Sequence, residues 1–116
     1  MTSFAGGVAH GAAFASDDID ASTTDGALVT AVAGQRVRVL GLAISCGGTA
    51  STVVLNSKPA GSGTAISAIF NNSIVLEPIP PGKGFGWFET SAGEGLTAST
   101  GTGSTSGIQV IYEMVG

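Results

Sequence analysis

The feature that most constrains this chain is its rhythm. Short apolar runs alternate with a period of two and are cut at close intervals by glycine, proline and Asx turn signals, the pattern of half-buried strands rather than helices. The clearest run is Arg36-Val37-Arg38-Val39-Leu40-Gly41-Leu42-Ala43-Ile44-Ser45. Val37 and Val39 share one face, whereas Leu40, Leu42 and Ile44 fall in the opposite register. The slip occurs at Leu40-Gly41, and a glycine at a register slip predicts a β-bulge or bend.

The other runs follow the same logic. Asp25-Gly26 marks a turn before Ala27–Val32, and Gly47-Gly48 precedes a strand at Ser51–Leu55. Ala65–Phe70 and Ile74–Leu76 flank Asn71-Asn72, a pair that suits a hairpin turn. Pro78, Pro80 and Pro81 keep their segment out of a sheet interior. Trp87–Thr90 and Leu96–Ser99 read as short strands around the turn Ala92–Gly95. A last strand, Ile108–Val115, places Ile108, Val110, Tyr112 and Met114 on one face. The expectation is an all-β, antiparallel β-sandwich or jelly-roll-like domain over residues 25–116. Residues 1–24 show neither period, and they are expected to form an extended N-terminal arm anchored on a partner through Phe4, Val8 and Phe14.

Composition narrows the function. Gly, Ala, Ser and Thr make up just over half of the 116 residues, and charged residues only 10%, against about 25% in an ordinary soluble domain. A surface so poor in charge suits a chain that is covered by other subunits, so a homo-oligomer or larger assembly is expected. A net charge of -4 with four Lys and Arg offers no footprint for nucleic acid. No apolar stretch approaches the ~20 residues needed to cross a bilayer as a helix, so no membrane partner is expected. One cysteine forms no internal disulfide, and one histidine builds no multi-histidine metal site. Ala13-Phe14-Ala15 imitates a cleavage site, but no Lys or Arg precedes it and glycines interrupt the segment, so it does not read as a signal peptide. Synthesis in the cytoplasm is the expectation.

Catalytic constellations are hard to find. Gly82-Lys83-Gly84-Phe85-Gly86 and Gly101-Thr102-Gly103 match neither the P-loop nor the dinucleotide fingerprint. A Ser-His-Asp arrangement would need His10, which lies in the arm. Glu77, Glu89, Glu94 and Glu113 fall in or beside strands and read as solvent-facing or interface carboxylates rather than a glycosidase pair. Asp17, Asp18 and Asp20 lack the spacing of a Ca²⁺ loop. Neither an enzymatic activity nor a cofactor is expected. Cys46 reads as a small buried hydrophobe, and Asn71-Asn72-Ser73 is a glycosylation sequon without a secretory route to use it.

Two features suit contact with a partner. Arg36 and Arg38 share one strand face and hold half of the positive charge. They are either a solvated face or a salt-bridging surface toward an acidic partner, such as the glutamates of a neighbouring copy. Trp87-Phe88 divides between core and rim or belongs to an interface, where aromatic residues are enriched.

The stretch Leu28-Val29-Thr30-Ala31-Val32-Ala33-Gly34-Gln35-Arg36-Val37-Arg38-Val39-Leu40-Gly41-Leu42 resembles small structural proteins of tailed bacteriophages. So do Gly86-Trp87-Phe88-Glu89-Thr90-Ser91-Ala92-Gly93-Glu94-Gly95-Leu96 and the closing Val110-Ile111-Tyr112-Glu113-Met114-Val115. The resemblance implies a virion component, a β-sandwich and often a trimer, that binds the major capsid protein on the capsid exterior as a decoration or cement protein. It implies no catalytic site. The alternative is a receptor- or glycan-binding module of a tail, baseplate or head fibre. Such a module would use the loops Ala60–Thr64 and Pro78–Gly86 with Phe85, Trp87 and Phe88.

Overall fold

The computed structural model describes residues 12–46, 51–82, 84, 86–103 and 105–116. Nine strands are present among them: β1 (Ala12–Ile19), β2 (Gly26–Val29), β3 (Arg36–Cys46), β4 (Val53–Lys58), β5 (Thr64–Ala65), β6 (Ile74–Leu76), β7 (Phe88–Glu89), β8 (Gly95–Thr100) and β9 (Ser106–Val115). They form two antiparallel sheets, one ordered β1-β9-β3-β6 with β7 also on β3, the other ordered β2-β8-β4-β5. The fold is an all-β sandwich.

The period-two pattern builds the core directly. Val37, Val39, Leu42 and Ile44 of β3 and Ile108 and Val110 of β9 face Val53 and Leu55 of β4 and Leu96 and Ala98 of β8. Tyr112 and Met114 continue the β9 stripe at the margin of the core. The bulge expected at Leu40-Gly41 is present: Val39 pairs with Tyr112 but Gly41 pairs with Ile111. It leaves Leu40 as the extra residue and carries Leu42 and Ile44 onto the same face as Val37 and Val39, not the opposite one. A single inserted residue thus keeps one long strand apolar on one side throughout.

Several expectations are corrected. Residues 12–19 do not belong to an arm; they form the edge strand β1, paired with β9 over eight successive positions from Ala12↔Glu113 to Ile19↔Ser106. Phe4 and Val8 lie outside the described residues, as does the rest of the arm up to Gly11. Asn71-Asn72 closes no hairpin. Phe70 bridges Val53 in the second sheet, whereas β6 pairs with β3 in the first, so the turn carries the chain between sheets. The turn at Ala92–Gly95 does the same, because β7 lies on β3 and β8 between β2 and β4. A turn signal reports reversal of direction, not which sheet receives the returning chain. Cys46 ends β3 half-buried against the core, with its N–H donating to Ser73 Oγ at 3.0 Å.

Candidate functional site

The outer face of the first sheet is built from the side chains that the core does not use. Strand register aligns Phe14, Ile111 and Gly41 in one row, and Ser16, Gln109, Ala43 and Val75 in the next. A third row holds Asp18, Gly107 and Ser45. Along β3 the face is floored by the small residues Gly41, Ala43 and Ser45, with Ile111 and Gln109 of β9 beside them and Phe14 and Val75 on the two outer strands. Gly41 lets Pro78 lean close over the sheet: a Cβ here would come within 3.2 Å of Pro78 Cα.

The result is a shallow trough of about 620 Å³ whose lining includes Ser16, Asp18, Ala43, Val75 and Gln109. It continues into an apolar hollow of about 110 Å³ between Phe14, Val75, Pro78 and Ile111. Phe14 is 62% exposed and Val75 72%. Two large apolar side chains flanking one hollow are a feature of contact surfaces. Sequence reasoning named Phe14 but missed Val75 and the trough, since β6 is recognisable as an edge only when its partner β3 is known.

Beside this surface, the same sheet face carries a charge cluster. Arg38 Nε donates to Glu89 Oε2 at 2.8 Å, and its Nη1 to Glu113 Oε2 at 3.2 Å. Hydrogen bonding to Glu89, ahead of the contacts with Glu113, raises the guanidinium above its ordinary pKa and holds it charged. The Gly82 N–H donates to the Glu113 carboxylate from the proline-rich loop. Glu113 is buried, not solvent-facing. The acidic partners of Arg38 are thus residues of its own chain, and together Arg38 and Glu113 tie Glu89 and Gly82 onto the sheet. Arg36 stays largely exposed, 3.9 Å from Glu89 Oε1.

Trp87 and Phe88 separate as core and rim residues do. Trp87 is exposed but fixed, with its Nε1 donating to the Glu77 carbonyl at 2.7 Å. Phe88 packs against the core and meets Phe70 edge-on, with ring centroids 6.3 Å apart. The structure brings Arg36, Arg38, Trp87 and Phe88 together around β3 and β7, and Phe14 lies on the far edge of the same sheet.

The second sheet carries a different polar centre, built around a residue the sequence marked only as a turn. Asp25, at φ 52°, accepts hydrogen bonds from Asn56 Nδ2 at 3.1 Å, Thr97 Oγ1 at 3.0 Å and the Gly63 N–H at 3.0 Å. Its own N–H donates to Ser99 Oγ. The Gly63 N–H is the foremost cause of a carboxyl pKa below the ordinary value, with Thr97, Lys58 and Asn56 adding to it. A depressed folded-state pKa stabilises the fold above the unfolded value of about 3.9, and that contribution is lost as pH falls through the folded pKa. Stability is therefore expected to be insensitive to this group above about pH 5 and to fall below about pH 4. Asp25→Asn should flatten that acid limb in denaturant titrations from pH 7 down to 2.5, and an unchanged limb would remove Asp25 from the account.

Among the described residues there is no group of three or more His, Cys, Asp or Glu side chains placed to hold a metal ion. Asp17 and Asp18 lie on β1, whereas the Asp20 carbonyl accepts from Thr23 Oγ1 and Thr100 Oγ1 at the strand's exit. Searches of family models, curated proteins and solved structures give no match to this chain.

Proposed function

We propose that this chain is a non-enzymatic virion structural protein, a decoration or cement subunit that seats on the outer surface of a bacteriophage capsid and stabilises the shell. The observation that carries the reading is the outer face of the first sheet, where Phe14 and Val75 stand exposed on the two sides of an apolar hollow that Gly41 and Ala43 leave open. Such a face leaves water on apolar side chains until another protein covers it. We read the strand order β1-β9-β3-β6 over β2-β8-β4-β5 as that of a jelly roll, an architecture of viral capsid and lectin domains. That support is an analogy of fold.

The partners in this role are the major capsid protein and further copies of the chain, the trimer being the form its resemblance implies. Phe14 belongs to the capsid contact, and Phe4 and Val8 would extend it. The exposed Arg36 and Trp87 suit subunit contacts at the other side of the sheet, and no cofactor is needed. Neither nucleic acid nor membrane is a partner. The protein would be made in the host cytoplasm and carried on the capsid exterior.

The stabilisation is a linkage effect. A subunit that binds only the intact shell stabilises it by RT ln(1 + [L]/Kd) per site, about 2.7 kcal/mol when free protein is 100-fold above Kd. Titrating purified protein onto particles stripped of it, followed by sedimentation, tests the proposal. Saturable binding at a fixed ratio to coat protein is expected. Val75→Asp buries an unpaired carboxylate in the contact and should weaken binding about tenfold or more. Absence of saturable binding, or equal binding by the variant, would overturn the assignment.

A further inference from the structure

Among the described residues the two sheets end in four edge strands, β1, β6, β2 and β5, and three of these are guarded. β6 has three residues and runs into Pro78, Pro80 and Pro81. β5 has two residues. β2 has four, with a register irregularity between Ala27 and Val29. Short strands, prolines and bulges are the usual means of keeping an edge from pairing with another chain. β1 has none of them: it is eight residues long, regular throughout its pairing with β9, and free of proline and glycine.

Its charges are also sorted. Ala12-Ala13-Phe14-Ala15-Ser16 is neutral, and Asp17-Asp18 follow. We infer that the neutral half of β1 is a homotypic pairing edge, joining antiparallel to β1 of a second copy about a two-fold axis centred on Phe14. Within a second copy no other edge among the described strands supplies five regular residues. The acids select both direction and register. Parallel pairing would align Asp17 and Asp18 of the two copies, and an antiparallel register centred nearer the acids would set them face to face; like charges directly opposite are destabilising. Centring on Phe14 sets Ala12 against Ser16 and Ala13 against Ala15, and leaves each acidic pair beyond the five-residue overlap. The two Phe14 rings then meet as a cross-strand aromatic pair on the outer face.

Such a contact is isologous and closes after two copies. It makes the first sheets of the two copies one continuous sheet, with the paired Phe14 rings still on the outer face that carries Val75. It gives the free chain a two-fold pair in place of the trimer that the resemblance implies, and it holds whether or not the chain decorates a capsid. The test measures mass by sedimentation equilibrium on the full chain at matched high concentration. Phe14 is exposed, so Phe14→Lys and Phe14→Glu leave the core untouched. The wild-type protein is expected at twice the mass of either variant, and an equimolar mixture of the two variants should restore the doubled species through an opposite-charge pair. Equal masses for wild type and variants, or a mixture that stays at the lower mass, would overturn the inference.

Discussion

Leu55→Ala is expected to lower the unfolding free energy by about 3 kcal/mol. Leu55 is completely buried in β4 and lies in the core between the two sheets. Its N–H donates to Ser67 Oγ and its carbonyl accepts from Ile66 on one side, and β4 pairs with β8 on the other, with Leu55 opposite Ala98. The strand therefore cannot move inward to fill the space, and the loss combines transfer free energy with a cavity. In a domain of this size a loss of 3 kcal/mol corresponds to a fall of roughly 10–20 °C in Tm. Differential scanning calorimetry reads it directly. A loss below about 1 kcal/mol would mean that the two sheets are not packed through this position.

Gly86→Ala is expected to destabilise by about 2–3 kcal/mol through overpacking rather than a cavity. A Cβ at Gly86 would stand 2.3 Å from the Val39 carbonyl oxygen and 2.9 Å from Arg38 Cγ. The neighbouring Trp87 N–H donates to that same carbonyl at 2.8 Å, so the 86–87 peptide lies flat on β3. No flexible side-chain end can yield there, and relief requires lifting β7 from β3. Lifting it takes Glu89 away from Arg38 and frees the loop that Glu113 holds through Gly82. Gly61→Ala is the control, because nothing stands within 4 Å of its Cβ position. It should fall within about 0.5 kcal/mol of wild type in urea unfolding. Equal effects of the two substitutions would contradict the docking of the proline-rich loop.

The long strands were legible because their pattern is local. Val37 and Val39, Val53 and Leu55, and Ile108 and Val110 each announce a buried face at spacing two, and Leu40-Gly41 announces the bulge. β1 was not legible, because its inward positions include Ala13 and Ala15, whose small side chains give little alternation against Ala12 and Ser16. What makes it a strand is β9, almost a hundred residues later in the chain. The site was obscure for the same reason. The partners of Arg38 lie 51 and 75 residues away, so the pair could be foreseen as charged but not as closed within the chain. Asp25 announced its turn, yet Asn56, Gly63 and Thr97 converge on it only through the pairing of β4 with β8 on one side and β5 on the other. Val75, the most exposed of the large apolar residues among those described, sits in the continuous apolar run Ile74-Val75-Leu76, which has no alternation to mark its outward face.

The central claim is that the chain is a part of a particle surface, present in many copies. Quantitative mass spectrometry of purified particles, comparing this protein with the major coat protein, tests it most directly. A one-to-one ratio, or another simple large fraction, is the expected result. Its absence from the particles, or a handful of copies confined to the tail, would contradict the account.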